Sequence, residues 1–108
     1  MQFVMLLLNT ENIPGKKYEV IGIVQGNTVK TRNFIADFGA SLKTIIGGEI
    51  GVYTKAIRDA RQDATDRMVQ EANNMNADAI VNIRYQTADI MQGAAEVLVY
   101  GTAVKYIQ

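Results

Sequence analysis

The segment that most restricts the fold of this chain runs from Tyr53 to Met75. There Tyr53, Ala56, Ile57, Ala60, Ala64, Met68, Ala72 and Met75 recur at intervals of mostly three or four. This spacing predicts one long amphipathic helix. Alanine dominates the stripe, which lets the helix axis come close to a sheet, while Lys55, Arg58, Asp59, Asp63, Asp66, Arg67 and Glu71 cover the other side. Asp63 stands four residues before Arg67, the favourable order for a helix-surface ion pair. Asn76 offers a left-handed cap before Asp78.

Strand patterns surround this helix. Phe3 to Leu8 reads as a first strand, and Asn12-Ile13-Pro14-Gly15 carries turn chemistry. The run Tyr18 to Val24 is rich in β-branched residues. Two readings follow for its continuation: a tight hairpin at Gly26-Asn27 into Thr28–Thr31, or one long strand bulged at Gly26. From Asn33 the period becomes helical, with Phe34, Ile35, Phe38, Leu42, Ile45 and Ile46 on one side, Asn33 as N-cap and Gly47-Gly48 as stop. Ile80 to Thr87 alternates, with Val81, Ile83, Tyr85 and Thr87 on one face and Asn82, Arg84 and Gln86 on the other. A loop at Asp89–Gly93 leads to the last strand.

In that last strand Val97, Val99, Ala103 and Ile107 alternate with Leu98, Tyr100, Val104 and Tyr106, so both faces are apolar. One long helix covers one face of a sheet, and only a short helix is left for the other. Partner subunits are the expected cover for Leu98, Tyr100, Val104 and Tyr106, because a contiguous exposed apolar patch marks an interface. The expected architecture is a single α+β domain over residues 1–108, an antiparallel sheet packed on one long helix plus a short one.

Composition narrows the chemistry. The 108 residues contain no His and no Cys, which removes imidazole bases, thiol nucleophiles, disulfides and the soft ligands of zinc, copper and iron–sulfur sites. Eleven basic residues balance eleven acidic ones, so no net field draws in phosphate backbones or anionic lipids. The N-terminal apolar run lacks a basic n-region and is too short to span a bilayer. The expectation is a cytoplasmic protein with no nucleic-acid or membrane partner.

The remaining candidates are carboxylates and one guanidinium. Glu49 sits in Ile46-Gly47-Gly48-Glu49-Ile50-Gly51 ahead of the long helix, where backbone amides can hold an anion, although the spacing matches neither the phosphate loop nor the dinucleotide fingerprint. Arg32 lies between a strand and a helix cap and can pair with a ligand carboxylate or phosphate, or with Asp37. Glu96 heads the Leu98/Tyr100 face, so it is paired, solvated at an edge or placed at a subunit contact. Arg32, Asp37, Glu49 and Glu96 are the ligand-binding candidates; no catalytic residue is assigned, and no cofactor is indicated. Ser41 is the only serine and has no histidine to activate it. Met68, Met75 and Met91 read as core filling rather than soft-metal ligands.

Several segments taken in order resemble one family: Ile13-Pro14-Gly15, Gly22 and Gly26 around the β-branched run, Ile46-Gly47-Gly48-Glu49, Tyr53-Thr54, Ala60-Arg61, Ala77-Asp78-Ala79-Ile80-Val81-Asn82, and Ala95-Glu96-Val97-Leu98-Val99-Tyr100-Gly101-Thr102-Ala103-Val104. The chain resembles the YbjQ-like family, whose label is heavy-metal-binding. The resemblance implies a dodecin-like α+β subunit that assembles into a ring, a homopentamer. It implies no established activity. Soft heavy metals prefer thiolate and imidazole, so a metal bound by this chain is expected to be a hard one on oxygen ligands. The functional expectation is therefore a non-catalytic ring holding a small ligand or hard ion at subunit contacts, with a purely structural ring as the alternative and a carboxylate enzyme third.

Overall fold

The computed structural model describes residues 5–31, 49–91 and 94–108. In chain order the described elements are β1 (Leu6–Leu7), β2 (Lys17–Thr31), α1 (Glu49–Asn74), β3 (Ala79–Met91) and β4 (Ala94–Ile107). The strands form one four-stranded sheet in the order β1-β3-β4-β2. The β2–β4 and β3–β4 pairs are antiparallel, but β1 runs parallel to β3, with Leu6 opposite Ala79 and Leu7 opposite Ile80. The sheet is thus mixed rather than antiparallel. The expected helix from Asn33 to Ile46 lies outside the described residues.

Helix α1 begins four residues before the apolar stripe predicts and ends at Asn74. Its stripe is as the spacing requires: Ala56, Ala60, Ala64, Met68 and Ala72 are all at most 1% exposed. Asn76 follows with φ 60°, the left-handed cap that asparagine tolerates. The expected Asp63–Arg67 pair gives way to contacts with the sheet. Lys30 Nζ lies 3.8 Å from Asp63, and Arg67 reaches the Asn27 carbonyl.

Strand β2 is a single strand of 15 residues, so there is no hairpin at Gly26-Asn27. Nor does the bulge fall at Gly26; the register shifts between Val20 and Gly22. Gly26 answers a different need. A Cβ built there would stand 2.1 Å from the Ala64 carbonyl oxygen and 2.5 Å from the Met68 nitrogen. The alanine stripe brings α1 down until its backbone rests on β2, and only glycine leaves room for it.

A second bulge changes the expected faces of β3. Register shifts between Val81 and Arg84, where Asn82 takes φ 55°. Simple alternation would keep Val81 and Ile83 together; instead Ile80 and Ile83 join the core under α1, while Val81 packs with Ala79, Val104 and Ile13 on the opposite face. Strand β3 also continues to Met91, leaving a connection shorter than the expected Asp89–Gly93 loop.

Candidate functional site

The two faces of β4 have different fates. Val97, Val99 and Ala103 are buried beneath α1 with Val24, Ala60, Ala64 and Met68. On the opposite face Val104 is fully buried, because the chain covers it with its own residues: Leu8 and Ile13 of the N-terminal segment, Tyr18 of β2 and Tyr106 of β4 pack there. Lys16 Nζ sits 5.0 Å from the centre of the Tyr106 ring. The cover expected from partner subunits is therefore unnecessary at Val104 and Tyr106. It is still lacking on the β2 side of this face, where Val20 opposite Val104, Ile23 opposite Thr102 and Val29 opposite Glu96 are 65%, 75% and 47% exposed, and at Tyr100, which is 37% exposed.

Glu96 lies at this open end. It stands opposite Val29 on β2, and Oε2 accepts a hydrogen bond from the Asn27 side-chain amide at 3.0 Å. The Asn27 carbonyl in turn accepts from Arg67 Nη1 at 2.6 Å. A groove of about 510 Å³ runs between these groups, lined by Gln25, Gly26, Asn27, Arg67, Glu71, Glu96 and Leu98. It brings two carboxylates, one guanidinium and two side-chain amides around the backbone of an edge strand.

Of the four candidates, Glu96 lines a described groove. Arg32 and Asp37 lie outside the described residues, and Glu49 is the first residue of α1. Sequence reading missed Asn27, Arg67 and Glu71 as groove residues. The two helix residues looked like solvated surface, and nothing in the sequence shows that β2 passes beside them. A second cavity, about 520 Å³, lies at the other end of α1 between Met5, Leu6, Asn73, Asn76, Ala77, Asp78, Lys105 and Tyr106. Its charged groups are already committed to the fold. Asp78 accepts from the Tyr106 amide at 2.8 Å, and Lys105 Nζ donates to the Asn76 carbonyl at 3.0 Å.

Residues 5–107 match the model of the YbjQ family, described as "Putative heavy-metal-binding". The chain belongs to the YbjQ family. Its curated relatives carry the name UPF0145, a family of uncharacterised proteins. The one from Clostridium novyi (strain NT) is 52% identical, over 95% of this chain and all of that protein. The one from Archaeoglobus fulgidus is 47% identical over 94% of each. A crystal structure of a DUF74 protein of unknown function from Pediococcus pentosaceus ATCC 25745 shares the fold. Its TM-score is 0.66 at 13% identity, covering 95% of this chain and 98% of that one.

The donor set of this YbjQ-family chain does not suit a soft heavy metal. The sequence supplies neither thiolate nor imidazole, the donors such metals select. Among the described residues no group of three or more acids is placed to hold an ion. Among them, too, no helix is long and apolar enough to cross a membrane.

Proposed function

We propose that this chain is the non-catalytic subunit of a cytoplasmic homo-oligomeric ring, a homopentamer, that takes a small positively charged or zwitterionic ligand, or a hard cation, in the groove beside Glu96. The observation that carries the reading is the open part of the sheet. Val20, Ile23, Val29 and Tyr100 present apolar surface to solvent on one continuous face, while the same face is covered at its other end by the chain's own residues. A second copy is the cover that a self-assembling chain supplies to itself.

The ligand class follows from charge. Glu71 and Glu96 line the groove with Arg67, leaving it one negative charge in excess. Glu96 Oε2 is engaged by Asn27, and its second oxygen is left to accept from a ligand ammonium or to coordinate a hard ion. Arg67 offsets part of that field, which favours a singly charged group over a bare divalent ion.

A thermal-shift screen of the wild-type chain and Glu96→Gln against Mg²⁺, Ca²⁺, Mn²⁺, primary amines and amino acids tests the ligand. A compound that binds only the native state raises Tm by mass action. The expected result is a rise for the wild type that Glu96→Gln loses while its assembly mass is unchanged. A screen in which no compound raises Tm leaves a purely structural ring.

A further inference from the structure

Two pairs of exposed apolar side chains mark the two ends of the sheet. Val20 and Ile23 lie at one, opposite Val104 and Thr102 on β4; Ile90 and Met91 lie at the other, where Met91 pairs with Ala94. From Ala94 to Thr102 is eight residues along β4, so about 27 Å of strand separates the two patches. One chain cannot fold either patch over the other, because both belong to one hydrogen-bonded sheet. From Arg84 to Met91 every residue of β3 is exposed, whichever way it faces. Charge divides the same two ends. Toward Val20 and Ile23, Arg84 stands opposite Tyr100 and Lys16 lies over the Tyr106 ring, with Glu11 the single acid between Leu8 and Lys16. At the other end are two acids, Asp89 opposite Ala95 and Glu96 opposite Ala88. Lys30, opposite Ala95 on β2, is matched by Asp63.

We infer that the Ile90–Met91 end of β3 in one copy of this chain seats on the Val20–Ile23 end of the open face in the next. The inference rests on the ring reading above and names the surface of the neighbour that supplies the cover. A ring of more than two copies is built from heterologous contacts, each joining two different patches of the chain. These two patches meet that need: both are apolar, they lie too far apart to meet within one copy, and their surroundings carry opposite charge. Unlike ends attract and like ends repel, so the charge favours a head-to-tail contact over a two-fold one. Ile90 is the anchor, and the flexible Met91 fills around it.

Light scattering of the wild type, Ile23→Lys, Ile90→Lys and an equimolar mixture of the two variants tests the contact, with far-UV circular dichroism as the folding control. Both positions are exposed, so each lysine spoils one patch and leaves the fold. Each variant alone is expected at the mass of one chain. In the mixture the intact Ile90 end of the first variant meets the intact Ile23 end of the second, and no further copy can join. Twice the chain mass is therefore expected. A chain carrying both substitutions, put in place of either variant, is expected to form no dimer. Ile90→Lys at the mass of the wild-type assembly, or a mixture that stays at the mass of one chain, overturns the inference and leaves the ring reading standing. A wild type at the mass of one chain removes both.

Discussion

The Arg67 guanidinium, on the outer side of α1, donates to the main-chain carbonyl of Asn27 on β2 at 2.6 Å. The same asparagine extends its side chain to Glu96 on β4 at 3.0 Å. One residue therefore joins the helix, the sheet edge and the open face. The groove beside it owes its shape to this arrangement. Because Gly26 has no side chain, α1 lies close enough for Arg67 to reach around the edge strand.

Gly26→Ala is expected to destabilise the fold by about 3 kcal/mol, the upper part of the overpacking range. The added carbon would meet helix backbone at 2.1 Å, which cannot rotate away as a side chain would. Urea unfolding followed by far-UV circular dichroism measures the loss. Stability equal to that of the wild type would mean that α1 sits farther from β2 than described.

Met68 is fully buried against Val24 and the alanine stripe. Met68→Ala is expected to cost about 2–5 kcal/mol through lost burial and the cavity left behind. By contrast, Met91, 69% exposed near the end of β3, is expected to tolerate alanine within about 0.5 kcal/mol. The same denaturation series compares the two.

These sites also mark what the sequence made legible. The helix stripe was readable because an α-helix repeats faithfully, and Ala56 to Ala72 fell where the period put them. The faces of β3 were not, because a bulge carries no periodic signal: Asn82 at φ 55° moves Ile83 to the face of Ile80, and alternation counts straight through it. Gly26 was noticed, but its role was read locally as a turn or bulge, when its cause is the backbone of a helix some forty positions away. Glu96 stood out as a charge heading an apolar face. Its neighbours Arg67 and Glu71 did not, since a charged helix surface looks the same whether it faces water or a groove.

The turn between α1 and β3 gives a paired prediction. Asn76 has positive φ, so Asn76→Val is expected to cost about 1–2 kcal/mol, while Asn76→Gly is expected to be neutral or stabilising. Asp78→Ala removes the acceptor for the Tyr106 amide and is expected to cost about 1 kcal/mol. Thermal unfolding of the three variants side by side checks both the order and the sign.

Glu96→Gln keeps an acceptor for Asn27 and removes a charge. Its Tm is expected to stay within about 3 °C of the wild type, since a half-buried polar replacement of similar size perturbs the fold little. The response to a cationic ligand is expected to disappear. Differential scanning fluorimetry with and without ligand reads both quantities from one sample.

Self-assembly through the open sheet face is tested most directly by the mass of the native chain in solution. Size-exclusion chromatography with light scattering at micromolar concentration is expected to give five times the 11.9 kDa chain mass. Ile23→Lys, which places a charge at the most exposed apolar position of that face, is expected to reduce this to the mass of one chain. A wild-type protein that elutes at 11.9 kDa would contradict the account.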